Sequence, residues 1–133
     1  MQRAVAGAPP AAALRRFALA ALAARARVAL RVVGASESKE LNRRYRASDR
    51  PTNVLSFPYG GGSGDVVLCH PVIRKEARQQ GKSLRAHYAH LVVHGVLHLR
   101  GYDHRTGSGA ARMERREIRI LRRLGFADPY AVK

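Results

Sequence analysis

The sequence predicts an α+β domain in which a small sheet is covered by helices. Three observations carry this. Three short valine-rich segments, "RVALRVVG", "TNVLSFPY" and "DVVLCH", are bounded by Gly and Pro and read as strands. Segments of helical period lie before, between and after them. The order helix, strand, helix, strand, strand, helices shows no internal repeat and no linker. With 133 residues, 46% of them hydrophobic, the chain suits one domain over 1–133 around a single core.

Pro9 and Pro10 precede a first helix over 11–24, whose Leu14, Ala18, Ala21 and Leu22 form one stripe with Phe17 beside it. The first acidic residue is Glu37, so the opening thirty residues resemble a targeting peptide in composition, but the stripe favours an ordinary core helix. A strand over 27–34 ends at Gly34, and Ser36 or Ser38 is placed to cap a short helix through "KELNRRYR". "ASDRP" reads as a turn, the strand over 52–59 stops at the "GGGSG" loop, and the next strand covers 65–70. Pro71 suits the first turn of a helix that runs to Gly81. Ser83 caps the longest periodic segment, "LRAHYAHLVVHGVLHLR", which stops at Gly101. From Ser108 a last helix points Met113, Ile120, Leu121 and Leu124 inward, and Arg115, Arg116, Arg119, Arg122 and Arg123 mostly outward.

The formal net charge of +16 favours polyanionic partners, which from charge alone include RNA, DNA and anionic membrane. No apolar run reaches the roughly 20 residues of a membrane span. Arg15, Arg16, Arg25, Arg27 and Arg31 interrupt the most apolar third. Cys69 is the only cysteine, which rules out an intramolecular disulfide and fits a reducing cytoplasm.

The chemistry concentrates in "HGVLHLRGYDH", residues 94–104. His94 and His98, four residues apart on a helix, lie about 40° apart around its axis and about 6 Å along it, so both imidazoles can reach one ion. Were the helix to continue, His104 would lie roughly 240° beyond His98 and face away. Gly101 supplies the stop, since glycine takes the left-handed C′ conformation without penalty, and the turn carries His104 back over the helix end. Three neutral imidazoles leave one tetrahedral position open, as catalytic zinc sites do. His87 and His90 lie near the same face and are read as supporting or surface residues, with orientation of the site as the alternative. The spacing H-x3-H-x2-G-x2-H is that of metzincin proteases, which need a glutamate directly after the first histidine. Here Gly95 stands there and can move no proton, which disfavours a metzincin-like metalloprotease.

The blocks "LNRRYRASDRPTNVLSFPY", "GDVVLC", "AHLVVHGVLHLRGYDH" and "LGFADPY" span most of the chain. Through them the sequence resembles the YbeY-type endoribonucleases, also described as rRNA maturation factors. The resemblance implies a zincin-like α+β fold with a small mixed sheet and the metal site at the end of the long helix. It implies one zinc ion per chain on His94, His98 and His104, single-strand endoribonuclease activity in maturation of the small-subunit rRNA 3′ end, and ribosome quality control. It also marks Arg46, the arginine of "YRASD", as a functional basic residue beside the metal. A planar guanidinium can hold two phosphorane oxygens, which makes that assignment chemically sound. The expected partners are single-stranded RNA, rRNA and the small ribosomal subunit, with no membrane and no DNA.

Asp103 either accepts a hydrogen bond from a ligand imidazole or builds the turn. Cys69 is read as a small core residue. Asp65, Thr52, Asn53 and Ser56 match the family blocks, and fold roles explain them as well as substrate contacts do. Two departures stand out. Family members usually carry a strand before the first helix, so residues 1–10 are read as a disordered or truncated start lacking it. Members tend to be acidic after the third histidine, whereas "RTGSGAARMERRE" is neutral and basic, which implies tighter RNA binding. The second reading, from another class, is a ribosome-associated assembly factor with weak catalysis.

Overall fold

The computed structural model describes residues 2–3, 7–46, 52–102 and 106–131, except for some side chains of the second helix and those of residues 2–3. In chain order it has β1 (Gln2–Arg3), α1 (Ala11–Ala21), β2 (Val28–Val33), α2 (Ala35–Arg46), β3 (Val54–Gly60), β4 (Ser63–Cys69), α3 (His70–Gln80), α4 (Leu84–Leu99) and α5 (Gly107–Arg123). The sheet order is β1-β2-β4-β3. β1 and β4 run parallel to β2, while β3 is antiparallel to β4, so the sheet is mixed.

The first strand corrects the expectation that residues 1–10 lack one. Gln2 and Arg3 pair with Arg31 and Val32 on the edge of β2, whose backbone groups would otherwise lack partners on that side. Other boundaries moved by smaller amounts. α1 stops at Ala21 rather than 24, where Leu22 turns to extended backbone. α2 begins at Ala35, so Ser36 and Ser38 lie inside it rather than before it. The glycine loop shrinks to Gly61 and Gly62, because Gly60 pairs with Ser63 and Gly64 pairs with Pro58 in the hairpin. His70 leaves the strand and opens α3. α5 starts at Gly107, and the Thr106 hydroxyl caps it by accepting from the Gly109 N–H at 3.0 Å.

α4 runs through the main core, packed between the sheet, α1, α3 and α5. Tyr88, Ala89, Val92, Val93, Val96 and Leu97 are fully buried, with Leu14 and Phe17 of α1, Val66 and Leu68 of β4, and Met113 and Leu121 of α5. A smaller cluster of Val33, Leu55, Val67 and Cys69 lies apart from it, which makes Cys69 a core residue as expected. The Ser83 hydroxyl caps α4 by accepting from the Ala86 N–H at 3.0 Å. At the other end Gly101 has φ +95°, the Gly101 N–H reaches the His98 carbonyl, and the Tyr102 N–H reaches the Leu97 carbonyl. That is the Schellman pairing, and it halts the helix at Leu99, just after His98. Among the described residues no helix is long and apolar enough to cross a membrane.

Candidate metal centre

The interior of α4 presents a ladder of imidazoles. Ring centroids are 6.4 Å apart for His87 and His90, 6.3 Å for His90 and His94, and 5.0 Å for His94 and His98. His94 and His98 are thus brought together at the exposed end of the ladder, as the spacing predicted. His104 and Asp103 lie outside the described residues. Arg46 closes α2, and its side chain likewise lies outside them.

Two carboxylates hold the ladder. Glu76 of α3 accepts from His87 Nε2 at 2.9 Å and from the Asn53 amide at 3.1 Å. Glu117 of α5 accepts from His94 Nδ1 at 2.7 Å and His90 Nε2 at 2.9 Å, and the Tyr130 hydroxyl donates to it as well. Glu117 is fully buried, and burial alone would push its carboxyl up. The three donors and the charge of His94 outweigh burial and hold it down at about 2. It is therefore ionised and can only accept, so His94 must carry its proton on Nδ1. In the neutral ring, the form that ligates a metal, the lone pair of His94 then sits on Nε2, the nitrogen not bonded to Glu117. A carboxylate behind a ligating imidazole fixes its tautomer and ring direction and raises its basicity. By this measure His94, with the His98 ring beside it, suits a zinc or similar ion.

Glu117 and Tyr130 were missed in the sequence. Glu117 stands four residues after Met113 and three before Ile120, on the buried stripe of α5, and an acid at such a position must be paired. His90, His94 and Glu117 also offer one ligand atom each within 4.8 Å of one another, so they could hold a cation themselves. Glu117 already accepts a hydrogen bond from each imidazole, and a cation on those two nitrogens would have to displace both protons. The arrangement is better suited to carrying His94 than to binding directly. His90 shares Glu117 with His94, the contact its orienting alternative requires, while His87 is buried and tied to α3 through Glu76.

Gly95 explains why no glutamate follows His94. A Cβ on Gly95 would lie 2.8 Å from Val66 Cγ1 and 3.3 Å from Val54 Cγ2, against the sheet. The Ser56 hydroxyl donates to the Gly95 carbonyl at 3.0 Å, so Ser56 and Asn53 serve the fold. Any side chain at 95 points into packed strands rather than toward the open face of His94, and a metzincin base cannot be housed there.

A profile of the Endoribonuclease YbeY family matches residues 11–125. Endoribonuclease YbeY of Aromatoleum aromaticum is 51% identical over 126 residues, covering 92% of this chain and 82% of its own. That of Alkalilimnicola ehrlichii is 52% identical over 139 residues, covering 94% and 84%. A solution structure of a Thermotoga maritima protein aligns with a TM-score of 0.56 at 25% identity, covering 91% of this chain and 88% of its own. By the extent and the identity of these matches, the chain belongs to the endoribonuclease YbeY family.

Proposed function

We propose that this protein is a metal-dependent, single-strand endoribonuclease of rRNA maturation, acting at the small-subunit rRNA 3′ end and in ribosome quality control in the cytoplasm. The observation that carries the reading is the Nδ1–H of His94 held by the buried Glu117 beside the ring of His98, in a chain that matches the family over most of its length. The metal, taken as one zinc ion per chain, is assigned to His94, His98 and His104. When bound, it would supply Lewis acidity at the scissile phosphate.

The chain's own residues supply the rest. Glu117 and Tyr130 orient His94. Gly101 ends the helix before His104, which is assigned to the same ion. Arg46 is assigned to the developing charge on the phosphorane oxygens, which a guanidinium stabilises by paired hydrogen bonds. The net charge of +16 concentrates RNA near the site.

The test is metal content by mass spectrometry together with cleavage of unpaired and ribosomal RNA, on untagged wild type and on His94→Ala, His98→Ala and His104→Ala. Near-stoichiometric zinc and metal-dependent cleavage in wild type, lost in all three folded variants, is the expected result. Wild type that takes up zinc yet leaves every RNA intact would overturn the enzyme. Rescue of a deletion strain by a folded His98→Ala variant would favour the assembly-factor reading, which the high charge also supports.

A further inference from the structure

α5 has two opposed faces. At 100° per residue, Met113, Glu117, Ile120 and Leu121 share the buried sector, while Arg112, Arg115, Arg116, Arg119, Arg122 and Arg123 fall within about 120° on the other side. Arg112, Arg115, Arg119, Arg122 and Arg123 are exposed. Among the described residues none of these five forms an ion pair. They extend along about 17 Å of helix. A surface cleft of about 520 Å³, lined by Arg115, Ile118, Arg119, Arg122 and Arg123, opens on this face.

Like charges at i, i+3 and i+4 repel and weaken a helix. A polyanion laid along the stripe would relieve that repulsion. Guanidiniums suit phosphate through paired N–H donors. α5 contains no aromatic side chain, so the stripe offers no platform on which unpaired bases could stack. Helical RNA, in contrast, is bound through its backbone phosphates and shape. The inner face of the same helix carries Glu117, which touches His94, so the stripe lies about one helix diameter, 10–12 Å, behind the imidazoles.

We infer that the arginine stripe of α5 is a docking surface for the phosphate backbone of base-paired RNA, which presents the adjoining unpaired strand to the histidines. This rests on the endoribonuclease reading above and adds a second RNA contact outside the cleavage site. The stripe thereby favours unpaired strands that flank a duplex over isolated ones.

The test compares full-length wild type, a variant with Arg112, Arg115, Arg119, Arg122 and Arg123 changed to Gln, and a control with Arg15, Arg16, Arg25, Arg74 and Arg78 changed to Gln. Both variants lose five exposed charges, and circular dichroism checks their folding. If either fails to fold, the same comparison is made with paired replacements, Arg115 with Arg119 against Arg15 with Arg16. Binding of a hairpin with a 3′ unpaired tail is followed by fluorescence anisotropy as salt is raised, beside cleavage of the same RNA and of a short unpaired oligonucleotide. The stripe variant should lose about one unit of salt slope per phosphate contact removed, three to five in all. Its KM on the tailed hairpin should rise about 100-fold, while its kcat on the unpaired oligonucleotide stays within about twofold of wild type. An unchanged salt slope, an equal loss in the control variant, or an equal loss on unpaired RNA would overturn the stripe. Loss of binding to anionic vesicles with RNA binding intact would also overturn it, in favour of a membrane surface. Wild type that binds the hairpin but cuts nothing would instead overturn the enzyme reading and leave the docking result standing.

Discussion

Glu117→Gln is the perturbation that isolates the carboxylate behind His94. Glutamine keeps the shape but replaces one acceptor oxygen with a donor. If its amide group faces His94, Nδ1 must become the acceptor and the proton moves to Nε2, the nitrogen a metal would need. If the amide faces the other way, it meets His90 Nε2 and the Tyr130 hydroxyl, both of which donate to Glu117 now. Either orientation breaks at least one charge-assisted hydrogen bond, so the metal-free variant should lose about 1.5–3 kcal/mol of stability in urea. Changes to the carboxylate partner of a ligating histidine typically cost 10–100-fold in metal affinity, equivalent to about 1.4–2.7 kcal/mol. Chelator competition with zinc would measure the affinity, and long-range proton–nitrogen NMR of the imidazoles would read the tautomer of His94. A variant that loses stability but keeps both its zinc affinity and the Nδ1–H tautomer would refute the orienting role and leave Glu117 a packing residue.

Three further outcomes follow from the same geometry. His90→Ala should retain zinc within about tenfold of wild type, whereas His98→Ala should lose it. Equal loss in both, by mass spectrometry, would make His90, His94 and Glu117 the ligand set instead. Gly95→Ala places a methyl 2.8 Å from Val66 Cγ1 and should cost about 1–3 kcal/mol in urea unfolding, and a neutral result would mean the sheet yields freely there. His70 is buried against Tyr88, with its Nδ1 and the Tyr88 hydroxyl hydrogen-bonded at 2.7 Å, and burial, aided by the Arg74 charge, holds its pKa below the ordinary value. Unfolded, it titrates near pH 6.5, so its contribution is complete above about that pH and is lost as pH falls toward the folded pKa. It contributes at most about 1.4 kcal/mol per pH unit. Urea titrations at several pH values should show a shallower acid loss in His70→Gln, and an unchanged slope would assign the loss to other groups.

Much of this was legible in local signals. Ser83 and Gly101 delimit α4 because a capping hydroxyl and a left-handed C′ glycine act on their own turn, and the spacing of His94 and His98 follows from helix pitch alone. What was not legible was non-local. The order of strands depends on pairings such as Val28 with Gly64, and β1 exists only because the edge of β2 is there to receive it. Glu117 sits among arginines and reads at first as one more solvated charge. Its place on the stripe with Met113 and Ile120 marks it as buried, but which imidazoles it would meet, 23 and 27 residues away, needed the packing of α5 on α4.

The closing block "LGFADPY" gains a physical reason from that packing. Gly125 ends α5 with the same paired turn that ends α4, the Gly125 N–H reaching the Arg122 carbonyl and the Phe126 N–H that of Leu121. The turn drives Phe126 edge-on against Phe17 of α1, with ring centroids 5.6 Å apart. Four residues later the Tyr130 N–H is held by the Asp128 carboxylate at 2.8 Å, and the Tyr130 ring stands edge-on to His90 at 5.2 Å. Its hydroxyl thereby reaches the buried Glu117, whose charge would otherwise face only two imidazoles in a dry interior. A third donor lowers the cost of burying that charge, and so makes a carboxylate rather than a neutral group tenable behind His94. The end of the chain is thus coupled to the imidazole ladder through one oxygen pair. Residues as distant in sequence as Phe17 and Tyr130 bear on the direction in which His94 presents its lone pair.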